Sequence, residues 1–425
     1  MKCMKRTLAA LLAALLLAAP PAIPSFAQTV ASEAKDAVLG YIARSFPPPN
    51  FGAEWFVLSQ AQGGVKNPPY YNGYYTRVEA HVRGKGAVLD VNRPPENQRS
   101  TENSRLILAL SAIGKDAADV GGIDITAPLS DIAWVTRQGN NGAFNALLAL
   151  DCGGYGTAQT RDELLEYILD NESDAGGWAA AQRLPASPDY TAMALQALAA
   201  YRDDAMVSAA IDRAIPVLSG LQLASGSFGF EEEGANTEST SQVIIALAAL
   251  GIDPTADARF VKSGGNPVSA LLAYQLSNGG FRHKPADTAA DGMATDQAAR
   301  ALVAYDRFLN GTVPLYANLY APHTHAYGEW AVRMAASCTS PGLEYRACGQ
   351  CLTVEEVRVI EAPGHDYVST VVPPTKQAGG HTTHTCARCG RSYADSLTDK
   401  IPRTQGFTWW DWVKFIVFFG WIWME

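Results

Sequence analysis

Three observations predict an all-α chain built as a stacked array of helix pairs, followed by small strand-rich Cys/His modules. First, GGWAAAQRLPASPDYTAMALQALAAY, residues 176 to 201, reads as a glycine-aromatic turn, a proline-broken loop and a helix dense in small residues. Second, the plan recurs in GSFGFEEEGANTESTSQVIIALAALGIDP (226–254) and GGFRHKPADTAADGMATDQAARALVAYDR (279–307), with weaker copies in TENSRLILALSAIGKD from 101 and NGAFNALLALD from 141. Third, the pairs Ala109-Leu110, Ala149-Leu150, Ala197-Leu198, Ala246-Leu247 and Ala301-Leu302 are 40, 48, 49 and 55 residues apart, a period typical of helix-pair arrays. In the three strong copies Thr191, Thr240 and Thr295 each stand six residues before the Ala-Leu pair.

Taken in order, residues 1–27 carry Lys2, Lys5 and Arg6, then LAALLAALLLAA, then a small-residue site ending at Ala27. That pattern predicts a secretory signal cleaved before Gln28, which removes Cys3 as well. The charge then moves from −9 to −12, which argues against a nucleic-acid partner. Helices are expected over 31–45 and 74–85, separated by a Pro, Gly and aromatic segment, and the repeats run to about residue 310. Arg161 to Asp170 is an amphipathic helix beside Ala-rich ones, which suggests an outer and an inner ring. In the 191–201 helix Ala192, Leu195, Leu198 and Ala199 form one apolar face, while Ala194, Ala197 and Ala200 form a second, small enough for close helix approach. Pro185 and Pro188 prevent an earlier start, and Asp189 stands where a carboxylate caps the first turn and meets its dipole.

On these repeats the chain resembles the terpenoid cyclase and protein prenyltransferase superfamily over roughly residues 30 to 310. The resemblance implies that the helix pairs close into an α/α toroid around a central cavity. It also offers several activities. Triterpene cyclases protonate their substrate with the middle Asp of a D-x-D-D-T-A motif. Here that run is Ser187, Pro188, Asp189, Tyr190, Thr191 and Ala192, so Asp189 keeps the acid position and both flanking carboxylates are gone. Zinc prenyltransferases converge an Asp, a Cys and a His on the metal. In the toroid only Cys152, His81 and His283 offer such ligands, outside the family's motif context. The thioester pattern does not match either, since Gln159 lies seven residues after Cys152. A cobalamin-carrier-like role is a further alternative, without the small β domain that caps those toroids.

A binding role asks less of the residues. A cavity lined by the turn aromatics Trp178, Phe228, Phe230 and Phe281 would hold an apolar or cofactor-like ligand, with Glu238 and Asp296 at inner-helix starts adding polar contacts or compensating helix dipoles.

After residue 320 the composition changes. Two copies of one module follow, over 321–362 and 363–400, resembling Cys/His repeats of clostridial-type surface proteins. The first has His325, Cys338 and Cys348-x-x-Cys351; the second has His365, Lys376 and Cys386-x-x-Cys389. Cys338 to Cys348 and Lys376 to Cys386 are both ten residues. Paired Cys-x-x-Cys knuckles suit structural zinc, with disulfides as the alternative outside the cell. Either each module holds its own ion, the first on His325, Cys338, Cys348 and Cys351, or the knuckles share one. In the second module Lys376 replaces a ligand, and His365, His381 or His384 completes the set.

The tail 407–425 carries five tryptophans and four phenylalanines, and its apolar run from Phe415 to Met424 is shorter than the ~20 residues of a spanning helix. It reads as an interfacial or marginally spanning membrane anchor. Together these features predict a secreted, envelope-associated, non-catalytic protein that binds a ligand or surface partner. The enzyme alternative is a cyclase-like or prenyltransferase-like activity with Asp189 as general acid.

Overall fold

The computed structural model describes residues 26–46, 49–181, 184–229, 234–353, 355–402, 409–410 and 412–413. The charged and apolar parts of the signal segment, most of the aromatic tail, and Phe230 lie outside the described residues. Among the described residues no helix is long and apolar enough to cross a membrane.

Among the described residues twelve α-helices build the first unit: α1 (Phe26–Ser45), α2 (Glu54–Gln62), α3 (Pro68–Lys85), α4 (Ser100–Ala112), the short α5 (Ile132–Val135), α6 (Gly139–Asp151), α7 (Ala158–Asp170), α8 (Pro188–Leu198), α9 (Ala205–Gly220), α10 (Thr237–Ala249), α11 (Pro267–Leu272) and α12 (Gly292–Leu309). Six of them pack in sequence, α2 on α4, α4 on α6, α6 on α8, α8 on α10 and α10 on α12. Helix α12 packs back on α2, and the ring is closed. The outer layer follows the same order, with α7 against α6, α9 against α8 and α11 against α10, while α1 backs α12. This is the α/α toroid, an all-α architecture. Inner helices are buried on nearly every side, as in α10, where Thr237 and Ser239 through Ala248 are all buried. Their alanines let neighbouring backbones approach closely.

The repeated turn has one physical account. Each inner helix from α8 onward starts on a side-chain cap: Ser187 accepts from Tyr190 N–H, Asn236 from Ser239 N–H and Asp291 from Ala294 N–H. The equivalent threonines then reach back to the turn aromatics. Thr191 Oγ1 accepts from Trp178 N–H at 3.0 Å, Thr240 Oγ1 from Phe228 N–H at 3.0 Å and Thr295 Oγ1 from Phe281 N–H at 2.9 Å. Two residues before each aromatic, Gly176, Gly226 and Gly279 hold φ of +91°, +90° and +93°. A Cβ there would press on the backbone of Arg213, Asn266 or Ala37, so glycine is needed for both conformation and space.

Helix α1 closes the ring from outside. Its Lys35 pairs with Asp306 of α12 at 3.2 Å, and Ala34 O accepts from Gln275 Nε2 at 3.0 Å. After α12 the segment Pro314–Tyr320 runs across the C-terminal ends of α6, α8 and α10, with Leu319 N–H bonded to Cys152 O at 2.7 Å.

Of the described residues, those through 327 and 347–353 form one compact unit with the toroid; 328–346 and those from 355 onward form a second. The knuckle at 348–351, which the sequence groups with the first module, therefore clusters with the toroid. The second unit is strand-rich. It holds a sheet ordered β3 (Ala331–Met334), β4 (Gly342–Ala347), β5 (Glu355–Ile360) and an antiparallel sheet β6 (Tyr367–Val372), β7 (His381–Cys386), β8 (Ser392–Asp395). A two-stranded ribbon, β1 (Phe228–Gly229) with β2 (Ala235–Asn236), precedes α10.

Candidate functional site

A cavity of about 280 Å³ lies inside the ring. Its wall takes Thr101 and Glu102 from the first turn of α4, Asn141 from α6, Met193 and Gln196 from α8, Gln242 from α10, and Gln297 and Arg300 from α12. Carboxamides dominate it. Gln196 Nε2 donates to Gln242 Oε1 at 2.9 Å, and Gln242 Nε2 donates to Gln297 Oε1 at 2.8 Å, so a relay of amides spans three inner helices.

The charged groups of the wall are already paired. Arg300 is nearly buried; it donates to Asp296 Oδ2 at 2.9 Å and to Tyr316 Oη at 3.1 Å, and it stacks over the Trp55 ring at 4.3 Å. Asp296 Oδ1 and Arg300 Nε are buried with no hydrogen-bond partner. Arg105 lies 3.1 Å from the fully buried Glu54 and contacts Glu102, which also meets Arg99 at 2.8 Å. Burial raises the carboxyls of Glu54 and Asp296 above the usual range, and the guanidinium beside each opposes that rise. Tyr316, carried by the segment across the C-terminal ends, lines this cavity and also a second of about 270 Å³ beyond it, with Asp151, Ile245 and Ala249.

The residues singled out from sequence fall elsewhere. Trp178, Phe228 and Phe281 are fully buried in the core and do not line the central cavity. Trp178 spends its indole N–H on Ile168 O at 2.8 Å. Asp189 does not cap its helix, because Ser187 does; it sits one position further in and accepts from Ser239 Oγ at 2.9 Å. It too is outside the cavity wall. Glu238 occupies the same place on α10 and contacts His283 Nδ1 at 2.8 Å. Burial raises its carboxyl, and the His283 contact opposes that rise. Asp296 is not at a helix start but in the second turn of α12. Sequence reasoning missed Gln196, Gln242, Gln297 and Arg300, although a long polar side chain within an Ala-rich buried helix is itself a signal.

Two Cys/His groups could hold a metal ion. One is His323, His325, Cys348 and Cys351; the other is Cys338, His365, Cys386 and Cys389; in each, the donor atoms lie within 4.8 Å of one another. The membership differs from the grouping by module. Cys338 leaves the first set for the second, His323 enters the first, and neither His381 nor His384 joins. His384 is held instead by Ser369 at 2.8 Å and Asp395 at 2.9 Å. The six described cysteines are all free, with Cys338 and Cys386 sulfurs 3.8 Å apart. Burial works to raise the Cys348 thiol, yet hydrogen bonds from the Gln350 amide, His325 and the Cys351 and Ala326 amides bring it down to about 5. Cys386 also falls to about 5, against burial, through His365 and the amides of Asp366, Cys389 and Arg388. Such thiols are readily thiolates, the form that binds metal.

The fold and its cavity define an α/α-toroid protein with a polar centre. No family model matches the chain, and no curated protein matches it. Among solved structures it is similar to a point variant of the type II terpene cyclase MstE from Scytonema in complex with geranylgeranyl dihydroxybenzoate, its substrate, at 14% identity and TM-score 0.45, covering 66% of this chain and 99% of that one. The apo form of MstE gives 14% identity and TM-score 0.44 over 65% and 98%. An ent-copalyl diphosphate synthase from Streptomyces platensis gives 22% identity and TM-score 0.42 over 62% of this chain and 50% of that one.

Proposed function

We propose that the toroid is a non-catalytic receptor for a small, polar, net-neutral ligand held in its central cavity. The wall itself carries this reading: carboxamides from α6, α8, α10 and α12 surround the space, with Trp55 and Phe144 as apolar faces. A carboxamide both donates and accepts, which matches hydroxyl and amide groups of a ligand such as a saccharide or short peptide. Each guanidinium is already paired with a carboxylate, so little uncompensated charge remains to attract a diphosphate. Carboxamide oxygens are also poor neighbours for a carbocation, which needs aromatic faces and no competing bases. On this reading the ligand is polar, whereas the turn aromatics point to an apolar or cofactor-like one. We further propose that the protein is exported to the cell envelope, on the signal-like and tail segments, and that the Cys/His groups hold structural zinc.

A second reading, acid-catalysed cyclisation with Asp189 as general acid, has the placement of Asp189 on inner helix α8 in its favour. The hydroxyl donated by Ser239 works against it, because a bond to the carboxylate stabilises the charged form.

The test is native mass spectrometry of the full chain purified without added ligand, followed by thermal shift against neutral mono- and disaccharides, amino acids and dipeptides. We expect a bound mass or a Tm rise that Gln242→Leu abolishes. Turnover of a geranylgeranyl substrate that Asp189→Asn abolishes, with no polar compound bound, would put the cyclase reading in its place.

A further inference from the structure

We infer that the two metal centres are completed in a staggered way, with Cys338 of the first module closing the centre of the second and His323 filling the place so vacated in the first. This rests on the zinc reading above and adds to it the ligand pairing and what the pairing joins.

The second centre shows the pairing most directly. Cys338 lies in the turn between β3 and β4, while His365 precedes β6 and Cys386 and Cys389 flank the turn after β7. The Cys338 and Cys386 sulfurs are 3.8 Å apart, and Cys389 Sγ is 3.4 Å from His365 Nδ1. Four ligands at zinc distances of ~2.3 Å for sulfur and ~2.0 Å for nitrogen form a tetrahedron whose S–S edge is about 3.8 Å and S–N edge about 3.5 Å. The Cys338–Cys386 and Cys389–His365 separations match two of those edges.

At the first centre Cys351 Sγ is 3.6 Å from His325 Nδ1. His323 Nδ1 lies 3.2 Å from Ala321 O, and its Nε2 is buried with no hydrogen-bond partner. A carbonyl holding one ring nitrogen protonated leaves the other as a lone-pair donor, the usual second-shell support of a metal-bound histidine. The sequence agrees with the stagger. Lys376 occupies in the second module the place that Cys338 has in the first, and it is exposed and offers no thiolate.

Each ion then joins different things. The first fixes the 323–325 segment to the 348–351 knuckle, whose Cys351 packs on Gly114 and whose Leu352 N–H meets Ile113 O at 3.3 Å, at the end of α4. The second ties the β3–β4 turn to the β6–β8 sheet, so the two strand modules become one body.

The experiment is Co²⁺ loading of the full reduced chain, counted against a competing chelator, with far-UV circular dichroism to confirm that the toroid is intact. The wild-type chain is expected to hold two ions. Cys338→Ser is expected to lose one, and the ion that remains should be abolished by adding Cys348→Ser but not Cys389→Ser. His323→Ala should also lose one, with the remaining ion depending on Cys389. The stagger is overturned if His323→Ala keeps both ions, if the ion left in Cys338→Ser depends on Cys389, or if the wild-type chain holds a single shared ion. A chain that, purified without reductant, is lighter by 2 Da per cysteine pair and that binds no ion once reduced removes the zinc reading, and the pairing falls with it.

Discussion

Each of Thr191, Thr240 and Thr295 joins an inner helix to the aromatic turn ahead of it through one buried hydroxyl. Thr240→Val keeps the shape and leaves the Phe228 N–H without its partner, which should cost about 1–3 kcal/mol in denaturant unfolding. Thr101, half-buried in the cavity wall, offers the comparison, and its replacement by Val should cost less than Thr240→Val. Glu54 provides the pH test. Its carboxyl is raised above 4.5 in the folded chain, so between 4.5 and that higher value the native state binds more protons than the unfolded one. The stability it contributes is present below 4.5 and is lost as pH rises through the folded value. Glu54→Gln cannot titrate, and its Tm against pH should be flatter over that window.

At the scale of elements, the inner helices are set by caps, glycines and small faces that are all local in the sequence. This is why the helix-pair array and its strong copies were legible. The capping side chains were legible only in part, because Ser187 and Asp189 both suit the start of α8, and the choice depends on which one has backbone geometry to reach Tyr190 N–H. The cavity wall was not legible from the turns, since Trp178, Phe228 and Phe281 face into the layers between helices rather than the ring's centre. Which face of an inner helix looks inward depends on ring closure, a long-range property. The segment Pro314–Tyr320 is similarly invisible in a repeat pattern. Tyr316→Phe should leave the fold intact but free Arg300 Nη1, and isothermal titration with whichever polar ligand is found should show about a 10-fold weaker Kd.

For the whole molecule, the module boundaries read from composition separate segments that the chain interleaves. Equal ten-residue spacings suggested two independent modules, but a spacing repeats whether a cysteine closes its own centre or the next one. His323 carried a signal in its place two residues before His325, though no copy of it stands in the second module. If the centres hold zinc, chelation should expose residues 328–402 to protease while leaving the toroid resistant, as limited proteolysis followed by mass mapping would report.

The packing of α1 on α12 also sets a timetable for synthesis. Val38, Leu39 and Ile42 of α1 are almost wholly covered in the finished ring, yet α12 ends at residue 309. A ribosome adding ~5–20 residues per second needs roughly 15 to 50 s between completing α1 and completing α12. For that interval an apolar helix face waits on the nascent chain without the helix it packs against. The ring is closed by its last inner helix, and until then α1, which backs that helix, has an apolar face for a holding chaperone to cover.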